Sequence, residues 1–518
     1  MNKNKTSPLV ILGLDTGDFD CIRRWAQEGY LPTIASIMER GCWAKTTGPE
    51  TVCEYGMGLT LFSGISRKDH GYYYFRQLKP ETYKLQKVAP IHVKAPPFWS
   101  HLREGNKKVL IVDVPDIAPV RGLAGLQLSN WAMHHSFSPP AAEPAELLEE
   151  VRRVFGPRMI IPVKPKSTLQ EDRHVYRCLL KRIEKKGELC RHLLSRDSFD
   201  LTVAFFSETD PASHYFWKYR CEAQNLENSG NKGELSNAIR NIYQAIDREM
   251  GLLLKQLPEE TNVVVCSLYG IQDEYPTSTL IESFLRQLGY QASPEKINAA
   301  KSSFLERIRK LIPETWRFAL SRHLPATVQE RLLTDTLEQG TDWSKTIAFA
   351  IPSLFTSFVR VNLQGREPQG IVKPGEEYEK VLEQLEKDLK LLVDPQTGKP
   401  AVKRIARTTQ LFHCDPPVSL PDLFVEWEPG PRFLDRVIHP KTVLVQKKPQ
   451  YCPINQEKLS GFFAACGPSI PNHGDIGGVS LLDLAPTFLA LMDEVNLESL
   501  SGKAIQTVVS SDPQQIKA

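Results

Sequence analysis

Short runs of Val, Ile, Leu and Phe recur along the chain, each bounded by polar residues, Gly or Pro. Runs of this length and composition are typical of strands that are buried on both faces of a sheet. The pattern predicts strands at Leu9–Leu14, Lys108–Val114, Leu201–Ser207, Asn262–Ser267, Leu423–Trp427 and Gly461–Cys466.

Amphipathic patterns of helical period separate these apolar runs. They predict helices at Leu147–Val154, Val175–Arg196, Ser236–Gln256 and Tyr378–Leu392. Apolar strands that alternate with amphipathic helices favour an α/β fold, in which helices flank a central, mostly parallel sheet. Reactive side chains in such folds tend to lie beyond the carboxyl ends of the strands. The loops that begin at Asp15, Glu208 and Leu268 are therefore the places to search for a site.

One region, residues 271–345, departs from this alternation, because no strand is predicted in it. Within it, Lys301–Arg322 is a basic amphipathic pattern with Phe304, Ile308 and Leu311 on one helical face. We interpret the region as a helical cap inserted into a core made of residues 1–270 and 346–518. A helix of this kind that binds a membrane surface or an anionic ligand is the alternative.

Composition excludes several classes of protein. The 518 residues include 64 basic and 61 acidic ones, a net charge of +3 that is too balanced for a dedicated nucleic-acid-binding protein. Apolar runs fall well short of the roughly 18 residues that a membrane span needs, so stable membrane insertion is not expected. The ten cysteines are scattered without a CxxC pair, which favours a reducing cytoplasm.

Two segments carry candidate metal ligands. Asp15 directly follows the first strand, and a carboxylate in that position can bind a cation or form a turn. Asp210 and His214 lie four residues apart where a strand leads into a helix, so both can reach one metal. The structural alternative makes Asp210 a helix cap and His214 a packing residue beside Trp217.

Taken in order, the segments of this chain resemble the type I phosphodiesterase/nucleotide pyrophosphatase branch of the alkaline phosphatase superfamily, and especially its predicted phosphohydrolase/phosphomutase group. The resemblance runs from Asp15 to Thr487 and is most specific at Glu208–Trp217 and Asn362–Pro374. It implies an alkaline-phosphatase-like fold, two metal ions, commonly zinc, and a Thr or Ser nucleophile that attacks phosphorus.

Transferred position by position, the resemblance retains one half of that centre. Asp15 matches the first metal-binding Asp, and Asp210 with His214 matches the paired ligands of the other metal. The nucleophile position, counted back from His70, is occupied by Glu54, and Thr51 could serve only if the loop were shifted. Where the family has Asp-His, this chain has Leu268-Tyr269, and Glu457 stands at the position of the last His.

These departures predict a remodelled centre with at most one divalent metal (zinc, manganese or magnesium), held by Asp210, His214 and Glu457, with Asp15 as a further candidate ligand. The expected substrate is a small-molecule phosphate or related ester, and no organic cofactor is expected. Two alternatives stand beside this one. The chain is a catalytically inactive binding or scaffold module, or Glu54 and Asp15 form a carboxylate pair for acid–base chemistry.

Overall fold

The computed structural model describes residues 7–53, 55–133, 139–159, 161, 167–222, 233–294, 337–338, 340–448, 455–494 and 499–509. Glu54 and the predicted basic helix Lys301–Arg322 lie outside these residues, so their predictions stay predictions. The chain divides into two compact units. The core unit contains Met1–His70, Ala89–Gln272 and Asn455–Ala518, and the second unit contains Gly71–Val88 and Asp273–Ile454. Residues 346–454, which the sequence-based division assigned to the core, thus cluster with the second unit.

Eighteen strands are defined in the described residues. They are β1 (Leu9–Thr16), β2 (Cys42–Thr47), β3 (Arg76–Leu78), β4 (Leu85–Lys87), β5 (Val109–Val112), β6 (Gly125–Ser129), β7 (Ala141–Glu143), β8 (Leu201–Phe206), β9 (Asn262–Asp273), β10 (Ala348–Ile351), β11 (Ser357–Val361), β12 (Val402–Arg407), β13 (Leu423–Trp427), β14 (Arg436–His439), β15 (Thr442–Val445), β16 (Asn455–Lys458), β17 (Phe462–Cys466) and β18 (Gly474–Ser480).

Helices connect these strands. They are α1 (Phe19–Gln27), α2 (Pro32–Arg40), α3 (Met57–Ser63), α4 (Arg67–His70), α5 (Glu146–Phe155), α6 (Leu169–Leu194), α7 (Thr209–Glu222), α8 (Ala238–Leu254), α9 (Ser278–Gln287), α10 (Glu376–Lys390), α11 (Thr408–Leu411), α12 (Leu484–Leu491) and α13 (Gln506–Val509), with 3-10 turns at Pro90–His92, Phe98–Arg103, Gly233–Leu235 and Leu481–Asp483. None of the helices in the described residues combines the length and the apolar character needed to cross a bilayer.

The core unit is built on a ten-stranded sheet in the order β18-β2-β17-β9-β1-β8-β5-β6-β7, with β16 also paired to β9. The central strands β9, β1, β8, β5 and β6 are parallel to their neighbours in that run. Strands β1 and β8 are buried along their whole length, because helices such as α1, α2, α6 and α8 cover the sheet. The predicted α/β fold with a mostly parallel central sheet is confirmed.

The second unit contains a separate four-stranded antiparallel sheet in the order β10-β11-β13-β12. Strand β13 was predicted from its apolar run and forms here, in this sheet and not in the parallel one. Strand β17 does join the central sheet, but runs antiparallel to both of its neighbours. An apolar run indicates that a strand is buried on both faces. It does not indicate the direction of the strand or the sheet that the strand joins.

Strand β9 differs most from its prediction. The sequence ended this strand at Ser267 and began a loop at Leu268, whereas β9 runs on to Asp273. Tyr269 continues the strand, because it pairs with Thr16 at the end of β1, and β16 also pairs with β9. The position of a metal-ligand loop in the family pattern is therefore regular strand in this chain.

The eight cysteines whose side chains the structure describes are free thiols. The cytoplasmic location expected from the sequence stays a prediction.

Candidate metal centre

Three parallel strands bring the candidate residues to one edge of the central sheet. Leu14 of β1 lies opposite Phe206 of β8 on one side and Ser267 of β9 on the other. Parallel strands in register end at the same edge, so the residues that follow each of these positions are neighbours. Asp15 is part of β1 and not of a loop, because β1 extends to Thr16.

The start of helix α7 is attached to the end of β1. The backbone N–H of Thr16 donates to the Thr209 hydroxyl at 3.1 Å. Asp210 and His214 follow on α7 with the four-residue spacing that places two side chains on one face of a helix. The hydrogen bond therefore fixes the chain beside Asp15 relative to the chain beside Asp210.

Asp210, His214 and Glu457, three of the candidate ligands, lie close together. One ligand atom of each lies within 4.8 Å of the others. The His214 Nε2 atom is 3.4 Å from Asp210 Oδ1 and 3.4 Å from Glu457 Oε1. Across the described ranges, no other group of three His, Cys, Asp or Glu side chains meets this criterion. The His214 side chain is 33% exposed, so the cluster is accessible from solvent.

A fourth residue, Asn455, orients the imidazole. Its side-chain N–H group donates to the Ser213 carbonyl at 2.9 Å, which leaves Asn455 Oδ1 to face His214 Nδ1 at 3.1 Å. An amide oxygen only accepts, so His214 Nδ1 must carry a proton. In the neutral imidazole the Nε2 lone pair then faces the two carboxylates, and this is the tautomer that a metal ligand needs.

The electrostatics of the cluster favour positive charge. Burial opposes protonation of His214, but Asp210 and Glu457 outweigh it and hold the pKa of His214 well above its ordinary value. Burial, and then the Asp210 carboxylate, raise the pKa of Asp15 well above the ordinary Asp value. Several carboxyl groups thus share a small buried volume, and either protons or a cation must offset their repulsion.

Asp15 is hydrogen-bonded to another side chain of this protein, where the family pattern has a second set of metal ligands. The Tyr269 hydroxyl donates to Asp15 Oδ1 at 3.1 Å. Burial and the nearby Asp15 carboxyl raise the pKa of Tyr269 well above its ordinary value, so the phenol keeps its proton. Leu268 is buried and has no ligand atom. The arrangement supports a hydrogen-bonded Asp15 here and gives no second ligand triad within the described residues.

Arg67 holds the backbone of the loop that is expected to carry the nucleophile. This buried guanidinium donates to the carbonyls of Glu50 at 2.9 Å, Cys53 at 3.0 Å and Tyr55 at 2.5 Å. The Glu50 carboxylate in turn accepts from the Ser66 hydroxyl at 2.6 Å and from the Arg67 N–H at 3.0 Å. The backbone on both sides of residue 54 is therefore anchored.

Thr51, the second nucleophile candidate, lies in this loop. Its hydroxyl donates to the Gly48 carbonyl at 2.7 Å, which is a turn contact. His70, expected from the sequence to be structural, is hydrogen-bonded to Thr60 through Nε2 at 3.0 Å, and burial lowers its pKa to about 3. The catalytic roles of Glu54 and Thr51 stay predictions.

Sequence reasoning missed Asn455, Arg67 and Asp116. Asn455 stands two residues before Glu457 in β16, and the two-residue period of a strand places both on one face, so this signal was available. Asp116 follows β5 with φ of 58°, and its carboxyl is close enough to help raise the pKa of Asp15. Neither Asp116 nor Arg67 has a sequence pattern that marks it.

The Asn362–Pro374 segment, which contributed to the resemblance, has a structural role in the second unit. The Asn362 side-chain amide donates to three carbonyls, those of Trp343, Thr346 and Gln369, at 2.9 to 3.1 Å. Arg366 binds both oxygens of Asp422, at 2.8 and 2.7 Å. These contacts fix the loop after β11, in agreement with the rigid, turn-rich segment that the sequence predicts.

Comparison with known proteins identifies the family. The model of the type I phosphodiesterase/nucleotide pyrophosphatase family matches residues 9–451. A search of curated proteins gave no match.

Two solved structures match this chain at low identity. Phosphonoacetate hydrolase from Sinorhizobium meliloti 1021, solved in complex with phosphonoformate, is 12% identical, with 95% of this chain and 96% of that chain covered and a TM-score of 0.51. Murine ectonucleotide pyrophosphatase/phosphodiesterase 5 is 12% identical over 97% of this chain and 100% of that chain, with a TM-score of 0.47. With its alkaline-phosphatase-like α/β core and a family match over most of its length, this chain belongs to the type I phosphodiesterase/nucleotide pyrophosphatase family.

Proposed function

We propose that this protein hydrolyses or transfers a phosphate or related ester at a centre that holds one divalent cation between Asp210, His214 and Glu457. The observation that carries the proposal is the convergence of His214 Nε2 and two carboxylate oxygens, each 3.4 Å from that nitrogen. Membership of the phosphodiesterase family supports the substrate class.

The three residues fit a divalent cation in both chemistry and orientation. Two carboxylates and one imidazole form a ligand set that zinc and manganese accept. Asn455 holds the imidazole in the tautomer that presents Nε2 to the shared point. A divalent cation there would offset the repulsion between Asp210 and Glu457. The negative charges of these two residues hold the pKa of His214 above its ordinary value.

The chemistry divides between the cation and the chain. When bound, the cation would polarise a phosphoryl oxygen and neutralise charge that develops during displacement. Asp210 and Glu457 would fix its position, and Asn455 orients His214 through Nδ1. Tyr269 donates to Asp15, which keeps that carboxyl hydrogen-bonded where the family pattern has further ligands. Arg67 anchors the backbone of Cys53 and Tyr55, on either side of the predicted nucleophile position.

Metal analysis of purified protein tests the proposal. After dialysis against Zn²⁺, Mn²⁺ or Mg²⁺ and removal of the excess, we expect about one equivalent of one of these metals to stay bound. Asp210→Ala should lose the metal and should lower the turnover of a bis-aryl phosphodiester at least about a hundredfold. Asp197→Ala, a carboxylate exposed on the surface, is the control and should change neither quantity.

Two results would overturn the proposal. Less than about 0.1 equivalent of metal in the unaltered protein would exclude a mononuclear enzyme, which needs a near-stoichiometric ion. Turnover that is unchanged in Asp210→Ala would exclude this site. A protein that binds metal and turns over no ester would instead support the binding or scaffold alternative.

A further inference from the structure

A cavity of about 180 Å³ lies in the core unit next to the candidate centre. Three arginines line it, Arg24 on α1, Arg220 on α7 and Arg240 on α8. Trp25, Trp217 and Tyr243 form aromatic parts of its wall. Three cationic side chains from three different helices thus converge on a volume that suits a small anion with an attached group.

The cavity shares its segments with the candidate centre. Trp217 is three residues beyond His214 on α7, which is about one turn. The Tyr243 hydroxyl donates at 2.7 Å to the carbonyl of Thr16, the residue after Asp15. The Asp210 carboxylate is close enough to Tyr243 to help raise its pKa. A ligand in the cavity would therefore be adjacent to the site proposed for the reacting ester.

In the described part of the chain no carboxylate forms an ion pair with Arg24, Arg220 or Arg240. Arg220 stacks on Trp217 at 4.4 Å and Arg240 on Tyr30 at 4.0 Å, so aromatic contacts hold both side chains in place. Among the described residues, no group accepts a hydrogen bond from the buried Arg240 Nε atom.

One acid, Asp18, also lines the cavity and has partners of its own. Its Oδ1 atom accepts from the Cys21 N–H at 3.0 Å and caps α1. Its Oδ2 atom is 3.6 Å from Lys458 Nζ. Burial raises the pKa of the neighbouring Cys21 thiol to about 12, so this thiol adds no negative charge at neutral pH. The balance of charge around the cavity is positive.

Clustered guanidinium groups repel one another, and a bound oxyanion relieves that repulsion. The planar fork of Arg matches phosphate oxygens, and each such contact is a charge-assisted hydrogen bond. We propose that the cavity binds a phosphate group. This inference rests on the proposed function. It implies that the substrate carries a second phosphate, held by the arginines, in addition to the ester that reacts.

Binding of inorganic phosphate to protein treated with EDTA tests the cavity without any turnover. Calorimetric titration should give a saturable site, and the double variant Arg24→Gln/Arg240→Gln should weaken it at least about tenfold. Arg23→Gln is the matched control, because it removes the same charge from the same helix without lining the cavity. Its affinity should stay within about twofold of the unaltered protein. Circular dichroism should show that all variants are folded.

The outcomes separate this inference from the proposed function. Phosphate affinity that persists in Asp210→Asn supports the cavity as the site, whereas its loss there assigns the phosphate to the candidate metal centre and overturns the inference. An absence of saturable binding up to about 10 mM also overturns it, as does an equal loss in Arg23→Gln and the double variant. Phosphate binding by the arginines in a protein without esterase turnover would uphold the cavity and contradict the proposed function.

Discussion

At the scale of single residues, the two ring nitrogens of His214 make different contacts. Nε2 faces Asp210 and Glu457, while Nδ1 is bound by Asn455. The proposed ligand role of the imidazole would therefore depend on Asn455, which is not one of the proposed metal ligands. Partners of this kind set both the tautomer and the orientation of a metal-binding His.

The substitution Asn455→Leu should weaken metal binding about 10- to 100-fold, because His214 Nδ1 loses its acceptor while the side-chain volume is kept. A competition titration with a chromophoric chelator measures this change. Asn472→Leu removes a similar contact, from an exposed amide to the Glu39 carbonyl, and should leave metal affinity unchanged. Equal affinities in Asn455→Leu and the unaltered protein would show that Asn455 does not orient the ligand.

At the scale of elements, a fully buried network of charged side chains connects α6 with the turn that precedes α7. Lys186 lies 3.4 Å from Asp113 and 3.3 Å from Glu208, and also donates to the Phe205 carbonyl at 2.9 Å. Arg182 pairs with Glu208 at 2.7 Å. Glu208 stands two residues before Asp210, so this network sets where α7 begins.

The substitution Lys186→Met should lower the free energy of unfolding by about 3–5 kcal/mol, because it leaves two buried carboxylates without their shared cation. Urea denaturation measures the loss. Lys181→Met, on the exposed face of the same helix, should change stability by less than about 0.5 kcal/mol. A similar small effect for both substitutions would mean that Asp113 and Glu208 do not depend on Lys186.

At the scale of the whole molecule, the acids gathered near one edge of the sheet give stability a pH dependence. Burial raises the pKa of Asp116 to about 6, from 3.8 for an unperturbed Asp. A carboxyl with a raised pKa in the folded state favours folding at low pH. That contribution is lost as the pH rises through about 6, because the folded state then holds a buried charge.

In metal-free protein, Asp116→Asn should therefore raise stability at pH 7 by about 2–3 kcal/mol and have little effect below pH 4. Asn tolerates the positive φ of this position, so backbone strain does not confuse the comparison. Thermal unfolding at a series of pH values measures the effect. Asp493→Asn, at another Asp with a φ of 58°, is the control. Parallel pH profiles for Asp116→Asn and the unaltered protein would contradict the assignment.

The sequence by itself determined the α/β fold class and most of the central strands, and it predicted the Asp210–His214–Glu457 set. The strands and helices follow from apolar runs and helical period, and the Asp210–His214 pair from a four-residue spacing at the start of a helix. Glu457 was assigned through the family resemblance alone. The sequence could not assign β13 to a second sheet or extend β9 past Leu268, because pairing depends on strands that are distant along the chain. Glu54 and the predicted basic helix Lys301–Arg322 lie outside the described residues, so their roles stay predictions from the sequence.

Tertiary structure alone decided how the site is supported. Asn455 reaches His214 from 241 residues away, and Tyr269 reaches Asp15 across 254 residues. Arg24, Arg220 and Arg240 form one cavity only because α1, α7 and α8 pack side by side. Local sequence specifies which side chains are present and which face they occupy. Burial, distance and charge balance between segments far apart in the chain decide what those side chains can do.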